Sequence, residues 1–131
     1  MKVLVTGAGG MVGRVVVEHC KSIGDEVIGV AHDDLDIANR EAVEQAIGTT
    51  APGLIINCAA WTDVDGCEGN PERAFAANAV GPENLAQASS AHGARLVTIS
   101  TDYVFDGEKD GFYTQHDEPN PQSVYAVSKL E

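Results

Sequence analysis

KVLVTGAGGMVG, residues 2–13, decides how the rest of the chain is read. Its first five residues form a short, apolar, β-branched run, the pattern of a buried strand. Gly7, Gly10 and Gly13 then recur at intervals of three, and a helical pattern of apolar residues begins at residue 11. A glycine triplet alone is weak evidence, but one that closes a first strand and opens a helix is specific. Glycine permits the tight turn, lets backbone N–H groups approach a pyrophosphate, and lets the helix pack close to the strand. The helix N-terminus adds free N–H groups and a partial positive charge. Gly7, Gly10 and Gly13 are therefore candidates to bind the diphosphate of a dinucleotide. The bland alternative is a plain tight turn.

Outward from this turn, the pattern predicts a helix over 11–23, with Val12, Val15, Val16, His19 and Ile23 on its apolar side and Gly24 as its stop. EVIGVA (26–31) reads as a second strand. Residues 39–48 predict a helix capped by Asn39 and stopped by Gly48. GLIINCAA (53–60) is a third strand. Residues 71–91 predict a long alanine-rich helix with Pro71 in its first turn and a kink at Gly81-Pro82. ARLVTIS (94–100) is a fourth strand, 101–122 a polar loop, and Ser123 the N-cap of a last helix. The order β-α-β-α-β-α-β-loop-α, with continuously apolar strands, predicts an α/β fold. Its sheet should be parallel, doubly wound and buried on both faces, with right-handed crossovers.

The formal net charge of −12 over 131 residues excludes nucleic acid and anionic membrane as main partners. An anionic ligand binds such a chain only where local N–H groups overcome the field. The three cysteines, Cys20, Cys58 and Cys67, contain no CxxC pair, and the four histidines have no ligand spacing. The expectation is no metal site and a reduced, cytoplasmic setting. The N-terminus has neither a signal-peptide pattern nor a membrane span.

Ligands of open α/β sheets bind beyond the carboxyl ends of the strands. An acidic residue closing the second strand would grip a ribose diol; here Ala31 and His32 stand there and Asp33 comes late, while Arg14 offers a partner for a 2′-phosphate. The choice between NAD and NADP stays open. Asp36 and Ile37 offer an acceptor and an apolar wall to adenine. Ala59 and Ala60, closing the third strand, allow backbone to approach a cofactor. Trp61 is a pocket wall or a packing residue. Thr101 and Asp102 close the fourth strand, where the Thr101 hydroxyl can polarise a carbonyl. Tyr125 and Lys129, four apart, share one helix face. Hydride addition to a ketone leaves an alkoxide that needs a proton, and a lysine ammonium one turn from a tyrosine lowers the phenol pKa toward that task. Asp63, Asp65 and Glu68 read as a loop favouring a following helix N-terminus rather than a cation loop. Cys58 reads as a small core residue, His32 and His116 as surface residues. Asn78, mid-helix, needs a partner, reached through water.

VTGAGGMVG, INCAAWTDVDGCE, NAVGPENLA, ISTDYVFDG and YAVSKLE together resemble the extended short-chain dehydrogenase/reductases, and among them the dTDP-4-dehydrorhamnose reductase branch. The resemblance implies a Rossmann-type sheet and reduction of dTDP-4-dehydro-L-rhamnose to dTDP-L-rhamnose by NADPH or NADH, in nucleotide-sugar and polysaccharide biosynthesis. It implies that Gly10, Met11 and Val12 bind the diphosphate, that Asp36 and Ile37 flank adenine, and that Ala59, Ala60 and Trp61 line the cofactor channel. Thr101 and Asp102 would face the sugar, Tyr125 would be the acid and Lys129 its partner, and both would also contact the cofactor, Lys129 through a ribose hydroxyl. All 131 residues match, under half the family's usual length. The expectation is thus an NAD(P)-binding domain over 1–131, truncated after the fourth strand and the start of the Tyr–Lys helix. The C-terminal substrate-binding domain would be absent, turnover low, and self-association plausible through an open sheet edge. Two alternatives share the motifs: a sugar-nucleotide epimerase or dehydratase, and a non-catalytic regulatory subunit.

Overall fold

The computed structural model describes residues 1–131. Four strands, β1 (Lys2–Thr6), β2 (Glu26–Val30), β3 (Leu54–Asn57) and β4 (Arg95–Thr98), form one parallel sheet in the order β2-β1-β3-β4. Val3 pairs with Val27 on one side and Leu54 on the other, and Leu54 pairs in turn with Arg95. Helices α1 (Met11–Ser22), α2 (Arg40–Thr50), α3 (Val64–Gly69), α4 (Pro71–Phe75), α5 (Gly81–His92) and α6 (Val124–Leu130) surround it. The fold is a Rossmann-type, doubly wound α/β sheet.

Each face of the sheet has its own core. Leu4 and Ile55 meet Val43 and Ile47 of α2 and Leu85 and Ala88 of α5. On the opposite face Val3 and Val5 meet Cys20, Val16 and Val17 of α1. The buried stripe of α1 therefore runs through Gly13, Val16, Val17 and Cys20, one step away from the predicted stripe; Val12, Val15, His19 and Ile23 are exposed. Gly13 sets this phase. A side chain there would collide with Gly7 O, so the glycine brings α1 down onto the turn.

Burial on both faces holds for β1 and not for β4, where Val97 is 52 % exposed. Leu96 packs under α5, but its neighbour Val97 points to the α1 side, where α1 covers only β1 and β2.

Caps follow local chemistry. Asn39 accepts from Ala42 N–H, and Ser123 accepts from Ala126 N–H, as their positions predict. Gly24, with φ of +89°, closes α1. Gly48 does not stop α2, which continues to Thr50 and ends on Ala51 in the left-handed region. Gly48 lies instead where α2 meets the ring of His92, which bonds Glu44 at 2.6 Å.

Residues 64–69, expected as loop, are helical. Asp63 caps this α3 by accepting Gly66 N–H, and Glu68 accepts the Val124 N–H of α6 at 2.8 Å. The predicted kink at Gly81-Pro82 is replaced by a π-helical stretch, Ala76–Val80, joining α4 to α5. Pro82 has no N–H to return to Asn78 O, and the ladder widens just before it, with Gly81 N–H donating to Ala76 O.

The long segment 101–122 is ordered by its own polar network. Asp106 accepts from Glu108 N–H, the Asn120 amide and the Tyr113 hydroxyl, and the Tyr113 ring stacks on Phe105 at 4.3 Å. The Glu108 N–H first, then Asn120 and Tyr113, hold the Asp106 carboxyl down to about 2. Its folded pKa lies below the ordinary carboxylate value of about 3.9, so its contribution is present above that value and is lost as pH falls through about 2. We expect amide exchange protection at Glu108 and Asn120 to fall between about pH 4 and pH 2. In Asp106→Asn the loss should be flat across that range.

Candidate functional site

A polar chain, buried at Thr6 and Asn57, links the carboxyl ends of β1, β3 and β4. Thr6 Oγ1 donates to Asn57 Oδ1 at 2.6 Å, and Asn57 Nδ2 donates to Thr98 Oγ1 at 3.0 Å. Asn57 Oδ1 also accepts Ala59 N–H, which turns the chain out of β3. Thr6 and Asn57 are 1 % and 2 % exposed, so the bond between them is shielded from water, while Thr98 at the far end is exposed. No feature of local spacing marks these three residues as one unit; only the strand register does.

Above these ends lies a cavity of about 600 Å³. One end is the glycine turn, with Gly7 and Gly10; the other is Ala59, Ala60 and Trp61 after β3. Gly7 has φ of +67°, and a Cβ on it would come within 2.6 Å of Ala59 N, so turn and β3 loop touch backbone to backbone. Gly10 caps α1 without any side-chain bond, and the first turn of α1 contains no acidic residue. The N–H groups of Met11 and Val12 are thus left to a ligand, with the favourable end of the helix dipole behind them. Met11 is itself 86 % exposed.

Of the residues singled out from sequence, Gly7, Gly10, Asp36, Ile37, Ala59, Ala60 and Trp61 share this cavity. Met11, Val12, Gly13, Thr101, Asp102, Tyr125 and Lys129 lie outside its lining. His32 and Cys58 line it too, so neither is only a surface or a core residue. Burial first, and then Cys20, push the Cys58 thiol up, away from nucleophilic form. The acids near the end of β2 are partly committed: Asp34 accepts Ala31 N–H and Asp36 accepts Ala38 N–H. Arg73, Ala76 and Ala77 also line the cavity and were not singled out. Their signal was present in a cation one turn ahead of two alanines on one helix face.

Trp61 is held by Asn78, which needs no water to reach it. Asn78 Oδ1 accepts Trp61 N–H at 2.8 Å, and Asn78 Nδ2 donates to Trp61 O at 3.0 Å and to Ser128 Oγ at 3.0 Å. Ser128 in turn donates to Tyr125 O. The π stretch that carries Asn78 thereby ties the β3 loop to α6.

On α6, Tyr125 is 9 % exposed and packs with Cys67 and Ala74, its ring edge-on to Tyr103 at 5.9 Å. Its hydroxyl makes no bond within the chain. No buried side-chain polar atom lacks a partner, so the hydroxyl tip reaches solvent while the ring does not. Lys129 Nζ donates to Ile99 O at 2.6 Å, which fixes the amine beside the end of β4. Burial lowers its pKa. Thr101 Oγ1 accepts Tyr103 N–H and sits 3.4 Å from Asp102 Oδ1, at the start of a single 3₁₀ turn, Asp102–Val104. No helix is long and apolar enough to cross a membrane.

The chain is 44 % identical over 130 residues to a dTDP-4-dehydrorhamnose reductase of Mycolicibacterium smegmatis, a match covering 98 % of this chain and 39 % of that protein. It superposes on a crystal structure of a dTDP-4-dehydrorhamnose reductase from Clostridium acetobutylicum with a TM-score of 0.97 and 48 % identity, over 99 % of this chain and 46 % of that one. A dTDP-4-dehydrorhamnose reductase from Bacillus anthracis, solved in complex with NADP, gives 0.95 and 38 %, covering 98 % and 46 %. The chain thus spans under half the length of these relatives. The family model of the RmlD substrate binding domain matches residues 1–131, and the chain belongs to that family.

Proposed function

We propose that residues 1–131 form the nicotinamide-dinucleotide domain of a reductase acting on a dTDP-linked 4-keto sugar. The observation that carries this reading is the joining of the glycine turn and the β3 loop in one cavity, beneath an uncapped helix N-terminus. That donor set fits a diphosphate, and relatives bearing the same activity match the whole segment. NADPH or NADH would supply the hydride.

The chain's residues take the remaining roles. Gly7, Gly10 and Gly13 shape the turn, and the Met11 and Val12 N–H groups receive the diphosphate. Asp36 and Ile37 flank adenine, and Ala59, Ala60 and Trp61 line the channel. Thr101 polarises the sugar carbonyl and Asp102 meets the sugar. The Tyr125 hydroxyl, open at its tip, gives a proton to the developing alkoxide. Lys129, anchored on Ile99 O, places its positive charge one helical turn away and favours the phenolate that remains.

The test is consumption of NADPH by the purified chain on addition of dTDP-4-dehydro-L-rhamnose. The expected result is sugar-dependent loss of the dihydronicotinamide absorbance, slower than for the full-length C. acetobutylicum reductase, with dTDP-L-rhamnose identified by mass spectrometry. A chain that binds no NADPH removes the dinucleotide reading, and a longer chain carrying the same residues that binds NADPH and makes no rhamnose nucleotide removes the reductase reading.

A further inference from the structure

Arg73 is the single lysine or arginine that lines the cavity. Its guanidinium lies 4.3 Å over the centroid of Trp61. Trp61 is itself held at both its N–H and its C=O by Asn78, so the surface under the guanidinium is set in advance. The guanidinium has no acidic partner and no hydrogen bond: the ion pairs of the chain are Met1–Asp25, Lys2–Glu26, His92–Glu44 and Lys109–Asp117. Its charge is therefore free to meet an anion entering the cavity. Its five N–H donors form a planar fork that suits the oxygens of a phosphate. The remaining wall is mostly apolar or glycine, with Asp36 as its acid, so no other side chain supplies full positive charge.

The two ends of the cavity come from different helices. Gly10 and α1 belong to the face of Val3 and Val5, whereas Arg73 lies on α4, upstream of α5, whose Leu85 and Ala88 pack on the face of Leu4 and Ile55. An α1 N-terminus carries about half a positive charge, which is small against a net charge of −12.

We propose that Arg73 is a nucleotide-clamping residue: held over the Trp61 ring, it takes a phosphate oxygen of the dinucleotide from the α4 side while the α1 N-terminus holds the diphosphate from the other. This rests on the dinucleotide reading of the cavity. Stacking on Trp61 removes rotamer freedom before binding, so little is lost when the ligand arrives.

Trp61 is the chain's single tryptophan, which makes its emission a direct report on this wall. The experiment titrates the chain with NADPH at low and high salt, following Trp61 emission and heat. Arg73→Ala is expected to weaken NADPH binding about tenfold, the scale of one charge-assisted bond, and to flatten its salt dependence. Arg73→Lys should keep the salt dependence and lose about threefold, because an ammonium lacks the fork. Urea midpoints should not move, since Arg73 is exposed on a helix that tolerates alanine. A salt slope and affinity in Arg73→Ala within twofold of wild type overturn the clamp and leave the dinucleotide reading standing. No NADPH binding by the wild-type chain overturns both.

Discussion

Tyr125→Phe is expected to lower the turnover of the 4-keto sugar by about 10²–10⁴, the range for removing a positioned acid, with NADPH affinity unchanged within twofold. Most of the Tyr125 ring is buried against Cys67 and Ala74, and phenylalanine keeps that packing. The hydroxyl has no partner inside the chain, so its removal orphans nothing. The urea midpoint should therefore stay in place while catalysis fails. A structural role would give the opposite pair of results. Turnover within threefold of wild type would remove Tyr125 as the proton donor. The measurement needs a turnover signal in this chain or in a longer one carrying the same residues.

Gly7→Val is expected to cost about 2–6 kcal/mol of stability and, with it, NADPH binding. Two causes add. A β-branched residue at φ of +67° is a backbone outlier that costs about 1–3 kcal/mol. The new Cβ would also approach Ala59 N at 2.6 Å and Cys58 C at 2.7 Å, and these are backbone atoms fixed by the Asn57 bond to Ala59. Forcing them apart adds about 1–3 kcal/mol. A domain with a total of about 5–15 kcal/mol loses a large part of its margin. Gly69→Ala, at a helix position with nothing near its added Cβ, is the control and should be neutral or slightly stabilising. Urea denaturation followed by Trp61 emission reads both; a midpoint for Gly7→Val equal to wild type would contradict the close approach.

Much of the fold was legible because it is written locally. The strand-turn-helix switch at residues 2–13, the caps Asn39 and Ser123, and the apolar run of β3 depend on near neighbours alone. What was not legible depends on distant ones. Residues 64–69 contain two glycines and little helix propensity, and α3 forms because Asp63 caps it and Glu68 is tied to Val124, 56 residues away. The stripe of α1 was placed one step off because valines at 12 and 15 outweigh a glycine in any apolar count, yet only glycine fits against Gly7 O. The site divides in the same way. The turn and the β3 loop follow from motif spacing, and they share the cavity. Arg73 carried only a weak local signal, a cation one turn ahead of two alanines, and the Thr6–Asn57–Thr98 chain becomes visible only when register brings β1, β3 and β4 together.

The π stretch at Ala76–Val80 has a consequence for how this chain tolerates change in length. An α-helix turns by about 100° per residue, so one residue gained or lost inside a regular helix swings everything beyond it. The wider π turn holds a residue in excess of the regular ladder. Ala74 therefore faces Tyr125, and Leu85 faces the sheet, with the phase they would have had without that residue. Here alone along the 71–92 segment, the protein can be one residue shorter while both flanking faces stay aimed as they are, provided Asn78 is the one kept.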